Sequence, residues 1–250
     1  SSFLAGEGFA VDAITVAAAA TADLSPYVAI LISDDSGSLS SWGTPAAVAN
    51  IAGAGKRTVG LGEGGYAYFG RKYAGASNTI GWGNGAHGTG ATAVTVMDAA
   101  DPAWQTPNAL GVATGSTVAL YSAGSAYVGI YDPNADKGLR YIGRHSTDTG
   151  YHTVIGQGAC DVLWGFSAPA GTLTAGGKQL FENLLAPCAP LLVSITAEVR
   201  EDLDRDGTFD AGEPYLTTPK LEVFRIGAEG SRTLVGSAVG SPNLTVSGIE

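Results

Sequence analysis

A chain of 250 residues with 45% hydrophobic residues is long enough to bury a substantial core and too apolar to stay disordered. Charged residues make up only 14% while glycines number 37, which argues against helical bundles and coiled coils and for tightly turned, sheet-rich structure. A net charge of -10, with no basic cluster longer than Lys56-Arg57 or Arg71-Lys72, would repel a phosphate backbone and argues against nucleic acid as a partner. Polar and small residues break every apolar run, Ala17 to Ala20 included, before the roughly 18 residues that a membrane-spanning helix needs.

In chain order, Phe9 to Val16, Tyr27 to Ser33 and Thr58 to Leu61 are predicted strands, apolar and β-branched in short runs. Between the last two, Thr44 is a predicted helix cap and Pro45 suits the first turn, with Ala46, Ala47, Val48 and Ile51 as the apolar face. That is a βαβ pattern. A second helix is predicted after Gly64, carrying Tyr66, Phe69 and Tyr73. From Asn78 to Gly165 the texture changes to short strands between Gly, Asn and Asp turns. These are Ala91 to Met97, Thr117 to Tyr121, Tyr127 to Tyr131, Leu139 to Ile142, Tyr151 to Ile155 and Val162 to Phe166, expected as antiparallel additions or the far half of the sheet. A closing helix is predicted over Thr174 to Leu185, where Leu180, Phe181, Leu184 and Leu185 form one stripe.

Ala186-Pro187-Cys188-Ala189-Pro190 ends that helix and marks the expected domain boundary, giving modules 1–190 and 191–250. Residues 1–190 carry 8 basic and 13 acidic side chains and the last 60 carry 5 and 10, so the second module is much denser in charge. Leu191 to Val199, Lys220 to Ile226, Arg232 to Val239 and Leu244 to Ser247 read as its strands, a β-sandwich texture. Cys160 and Cys188 are the 2 cysteines, free of any C-x-x-C, and leave one disulfide or two buried thiols open. Paired, they would lock the closing helix against the sheet.

The strongest chemical signal runs from Asp202 to Glu213. Asp202, Asp204 and Asp206 offer carboxylates, Gly207 the sharp turn, Thr208 a carbonyl, Asp210 a direct or water-borne ligand and Glu213 a bidentate one, matching the twelve-residue calcium loop. So many acidic groups repel one another unless a cation neutralises them, and β-type flanks predict a static Ca2+ site instead of a helix-opening sensor.

The second signal is Arg57-Thr58-Val59-Gly60-Leu61-Gly62-Glu63-Gly64-Gly65-Tyr66, an apolar strand that enters a glycine-rich turn and then a helix, the setting of a nucleophile elbow. This stretch resembles the elbow of class I glutamine amidotransferase-like domains, Gly-x-Cys-x-Gly, and the resemblance places Gly62 at the nucleophile. Leu163 to Pro169 and Thr172 to Leu185 resemble that family's closing strand and helix, with Gly177, Leu180, Phe181 and Asn183 matching Gly-x-x-Leu-Phe-x-Asn. The family's histidine falls on Ser167 and no glutamate follows, so the resemblance implies a flavodoxin-like sheet without the catalytic triad. A thiolate needs a base and an orienter; their loss implies a pseudoenzyme.

Glu63, at the head of a helix, has its charged form favoured by the dipole, and capping of the first turn is its plainer role. His87, His145 and His152 read as surface residues more readily than as metal ligands. Lys56 follows Gly55, but Asn50 and Arg57 break the phosphate-loop pattern. Trp42, Trp82, Trp104 and Trp164 read as core and rim packing before a sugar platform, and Asn243-Leu244-Thr245 is a glycosylation sequon.

The run that ends at Pro214, followed by Leu221-Glu222-Val223, resembles calcium-bearing B-type repeats of bacterial surface adhesins, which implies a partial Ig-like or prealbumin-like β-sandwich acting as a stalk. Both ends of the chain read as cut, with neighbouring domains of a longer surface polypeptide, or self-association, expected to complete them. The expectation is a secreted, non-catalytic cell-surface or filament component stabilised by calcium. A hydrolase using the Glu63 crevice and a carbohydrate-binding surface module are the alternatives.

Overall fold

The computed structural model describes residues 2–76, 79–131, 138–188, 193–198, 201–203, 214–226, 232–240 and 243–249. The chain forms two compact units, Ser1–Cys188 and Ala189–Glu250. The first opens with helix α1 (Ser2–Gly6), strand β1 (Ala29–Ile32), the small hairpin of β2 (Gly37–Ser38) and β3 (Ser41–Trp42), helix α2 (Pro45–Gly53), strand β4 (Arg57–Leu61) and helix α3 (Gly62–Lys72). A run of strands follows: β5 (Gly85–Ala91), β6 (Ala93–Val96), β7 (Thr117–Ala119), β8 (Ser125–Tyr131), β9 (Leu139–His145), β10 (Tyr151–Gln157) and β11 (Asp161–Trp164). Helix α4 (Ala175–Leu185) closes the unit.

Among the described residues nine strands share one mixed sheet in the order β1-β4-β11-β10-β9-β6-β7, with β8 on the end of β10 and β5 beside β8. The chain is therefore a mixed α/β protein. β1, β4 and β11 are parallel, and the β6 to β10 portion is antiparallel. Parallel neighbours need a crossover, and α2 supplies the one between β1 and β4. Thr44 Oγ accepts from the N–H of Ala47 at 3.2 Å and Pro45 takes the first turn. Ala47 and Ile51 are buried, while Ala46 faces solvent.

Side chains alternate across the sheet, so consecutive residues reach different cores. Val59, Val154, Val162 and Trp164 join Leu180, Leu184 and Leu185 of α4 on one face. Ile32, Ile155 and Leu163 join Ile51 of α2 and Tyr66, Ala67 and Phe69 of α3 on the other. With both faces covered, every residue of β11 is buried, which is why Val162-Leu163-Trp164 shows no polar alternation. Asn183 of α4 holds the Ala103–Asn108 loop, donating to the carbonyls of Ala103 and Asn108 at 2.9 and 2.7 Å and accepting from the N–H of Asn108 at 2.8 Å.

Cys160 and Cys188 are disulfide-bonded, with Cα atoms 4.9 Å apart. Arg57 braces both ends of the bridge: Nε donates to the carbonyl of Ala186 at 3.0 Å, and Nη1 to those of Ala159 and Cys160 at 3.0 and 3.2 Å. Burial, with Arg140 adding repulsion, lowers its pKa to about 10 against the opposing pull of Asp161 and Asp101, so it stays cationic at neutral pH. Asp161 accepts from Lys72 Nζ and the Tyr73 hydroxyl and ties the end of α3 to the start of β11.

The second unit contains β12 (Val193–Glu198), β13 (Lys220–Ile226), β14 (Arg232–Val239) and β15 (Asn243–Ile249). β12 pairs antiparallel with β15, and β13 with β14. Among the described residues no helix is long and apolar enough to cross a membrane.

Two local expectations fail. Phe9 to Val16 forms no strand: Phe9 packs against one core and Val16 against the other, while Val11 and Ile14 between them are 39% and 52% exposed. Thr15 Oγ instead makes a local bond, accepting from the N–H of Ala18, and Asp12 Oδ2 accepts from the Tyr27 hydroxyl 15 residues on. The predicted strand Ala91 to Met97 is divided at Thr92, whose carbonyl accepts from the N–H groups of Leu120 and Tyr121 at 2.8 and 3.0 Å.

Candidate functional site

The parallel strands β1 and β4 end side by side, Ile32 opposite Gly60, and the crevice beyond such carboxyl ends is where open α/β sheets place ligands. β4 runs into α3 without a loop, and three glycines allow it. A Cβ on Gly65 would lie 2.2 Å from the carbonyl carbon of Gly60, so α3 sits directly on β4. On Gly64 it would lie 2.0 Å from the Ser33 carbonyl oxygen, so the turn after β1 crosses over the first turn of α3. Gly62 has φ +45°, and a Cβ there would meet Asp34 Oδ1 at 2.0 Å and Ser167 Oγ at 2.4 Å.

The space over the elbow is thus filled by Asp34. Its Oδ1 accepts from the N–H of Glu63 and from the Ser167 hydroxyl, both at 2.8 Å. The free N–H groups and positive dipole end of α3 favour an anion here, and the anion is the protein's own carboxylate. Ser167 is held in turn by its N–H donating to Ser125 Oγ at 3.1 Å. The turn carrying Asp34 is pinned by Ser36, whose hydroxyl donates to the Ser33 carbonyl at 2.6 Å and accepts from Trp42 Nε1 at 2.9 Å.

Glu63 makes a second latch. Its Oε1 accepts from the N–H of Leu39, a residue with φ +49°, and its Oε2 meets His87 Nε2, both at 2.5 Å. Both carboxylate oxygens of Glu63 are therefore engaged, by the 34–42 segment and by β5. A hydroxyl or thiol nucleophile at an elbow needs a neighbouring base to take its proton. Here the elbow residue has no side chain, and the hydroxyl beside it gives its hydrogen to Asp34. The arrangement seats the Asp34 carboxylate over Gly62, with the Ser167 hydroxyl donating to it.

Gly62, Glu63 and Ser167, singled out in the sequence, come together in this crevice. Asp34, Ser36, Ser125 and His87 were not joined to it by sequence reasoning. The signal for Asp34 was the Ser33-Asp34-Asp35-Ser36 turn that directly follows an apolar strand.

His145 and His152 lie elsewhere and are not surface residues; they are 4% and 0% exposed. Both belong to strands of the sheet, His145 ending β9 and His152 in β10, so the polar turn between them gave a false impression of exposure. His145 Nδ1 accepts from the N–H groups of Thr147 and Asp148 at 3.2 and 2.9 Å, and its ring lies 4.4 Å from that of Tyr127. Burial lowers its pKa from 6.5, with Asp148 opposing. The unfolded chain therefore takes up this proton first as pH falls, and stability from this group, full above pH 6.5, drops as pH falls toward the lowered native value. Urea unfolding from neutral to mildly acidic pH is expected to show a stability loss that His145→Gln flattens; an unchanged slope in that variant would contradict this assignment.

Of the calcium-loop residues, Asp202 is described and exposed, whereas Asp204, Asp206, Thr208, Asp210 and Glu213 lie outside the described residues. Trp42, Trp104 and Trp164 are core residues, and Trp82 is 43% exposed. Lys56 Nζ donates to the Ser25 carbonyl at 3.0 Å. No protein-family model matches the chain, and no curated protein matches its sequence.

Proposed function

We propose that the protein is a non-catalytic structural component of an extracellular surface or filament assembly. In this reading the first unit is a degenerate amidotransferase-like domain on a flavodoxin-like sheet. The second is a partial Ig-like or prealbumin-like β-sandwich related to adhesin B-type repeats, stiffened by Ca2+ at Asp202, Asp204, Asp206, Thr208, Asp210 and Glu213. Self-association or neighbouring domains of a longer surface polypeptide are its partners. The observation that carries the reading is the Asp34 carboxylate seated over Gly62, accepting from Glu63 and Ser167. A substrate carbonyl would have to displace an anion already fastened to the N-terminus of α3. The disulfide supports an oxidising compartment, and the charge repulsion along Asp202–Glu213 supports a bound cation.

The rival with an observation behind it is a hydrolase that uses the partly exposed Glu63–His87 pair. The native chain and Glu63→Gln are to be compared on glutamine, ester, peptide and glycoside substrates. The scaffold reading expects no turnover by either. Turnover that Glu63→Gln abolishes would replace it with the hydrolase.

A further inference from the structure

We infer that the Cys160–Cys188 bond is a force shunt. A pull that arrives along the chain from the second unit enters the first at the β10–β11 turn and leaves β11 and α4 off the loaded path. The first unit ends at Cys188, so any tension from the second unit reaches the first at that residue. Without the bond it would pass next through Ala186 and Leu185 and peel α4 from its C-terminal end. Leu180, Leu184 and Leu185 hold that helix to the sheet largely by apolar contact, and under an end pull such contacts break in succession, residue by residue.

The bond diverts the load to Cys160, a separation of 28 residues, and Cys160 is well fastened. Its carbonyl accepts from the N–H of Thr58 at 3.0 Å and from Arg57 Nη1 at 3.2 Å. Arg57 also grips the carbonyls of Ala159 and Ala186 at 3.0 Å, so β4 braces both sides of the bridge. The bypassed segment includes β11, the strand between β4 and β10, and Asn183, which holds the Ala103–Asn108 loop. Its loss would open both cores.

The use of such a shunt rests on the scaffold reading, but the load path itself does not. The test is to stretch the native full chain by its two ends, before and after a phosphine reductant is added to the folded molecule. The oxidised molecule is expected to show no early shedding of α4 and a total extended length shorter by about 95 Å, the reach of the bridged residues. Reduction is expected to add a new event at lower force ahead of the main rupture. Identical force and number of events in the two states, or α4 peeling with the bond intact, would overturn the inference. The Cys160→Ala/Cys188→Ala chain provides a second comparison if it folds, and the reductant on native molecules decides if it does not. A working shunt in a chain that never assembles would retire the scaffold reading alone; an assembling chain without the shunt behaviour would retire only this inference.

Discussion

Gly62→Ala is expected to destabilise the first unit by about 4 kcal/mol, more than most single substitutions. A left-handed backbone costs a residue with a Cβ about 1–2 kcal/mol, and displacing Asp34 breaks two hydrogen bonds to a charged group worth about 1.5–3 kcal/mol each when made. The new Cβ would sit 2.0 Å from Asp34 Oδ1, so both losses arise together. Denaturant unfolding of Gly62→Ala, Asp34→Gly and the double variant separates them. Because Asp34→Gly removes the obstructing carboxylate, Gly62→Ala should cost about 3 kcal/mol less in that background, a coupling expected of residues that share one space. Additive losses would show that Asp34 does not occupy the elbow in solution.

The second large effect is that of the bridge. Replacing both cysteines by alanine frees a loop of 28 residues in the unfolded chain, which corresponds to about 3–4 kcal/mol by chain entropy. For a unit of this size that is a fall in Tm of about 10 °C. Arg57 would keep its carbonyl partners but lose the covalent tie that holds them in place, so the loss should not fall below the entropic figure. Calorimetry of the oxidised chain and the double variant reads it directly; a drop of under 1 kcal/mol would contradict this expectation.

Much of the fold could be read where one segment carries its own instructions. Thr44-Pro45 announces α2 because cap and proline act within one turn. The stripe Leu180, Phe181, Leu184 and Leu185 announces α4, and the apolar run Val162-Leu163-Trp164 announces a strand covered on both faces. The four strands of the second unit stood out as β-type runs, the first two separated by an acidic stretch and the others by short segments rich in Gly, Ser and Pro. The antiparallel portion of the sheet was legible as texture but not as order: β8 and β9 both pair with β10, and the Gly and Asp residues between the strands say nothing about which neighbour a strand takes.

The candidate site was only half legible, for a physical reason. The elbow glycines report that something approaches closely, not what. Asp34 reaches Glu63 across 29 residues and Ser167 across 133, and no local spacing encodes either contact. Glu63 looked like a capping carboxylate, yet its side chain turns to Leu39 and His87 while its own N–H receives Asp34. Phe9 to Val16 misled because a short apolar, β-branched run signals a strand only where a neighbouring strand pairs with it, and among the described residues none does. His145 and His152 misled in the opposite sense, buried by the strands they end and enter.

The central claim, a calcium-braced assembly unit without catalytic chemistry, is tested most directly by light scattering of the native material after size separation, with calcium and then with a chelator. A cation bound only by the folded second unit stabilises it by an amount that grows with the logarithm of its free concentration above Kd, so assembly that depends on that unit should follow calcium. The account predicts particles many times the 25.1 kDa chain mass that break down when the cation is withdrawn. A monomer of the same size in both conditions would contradict it.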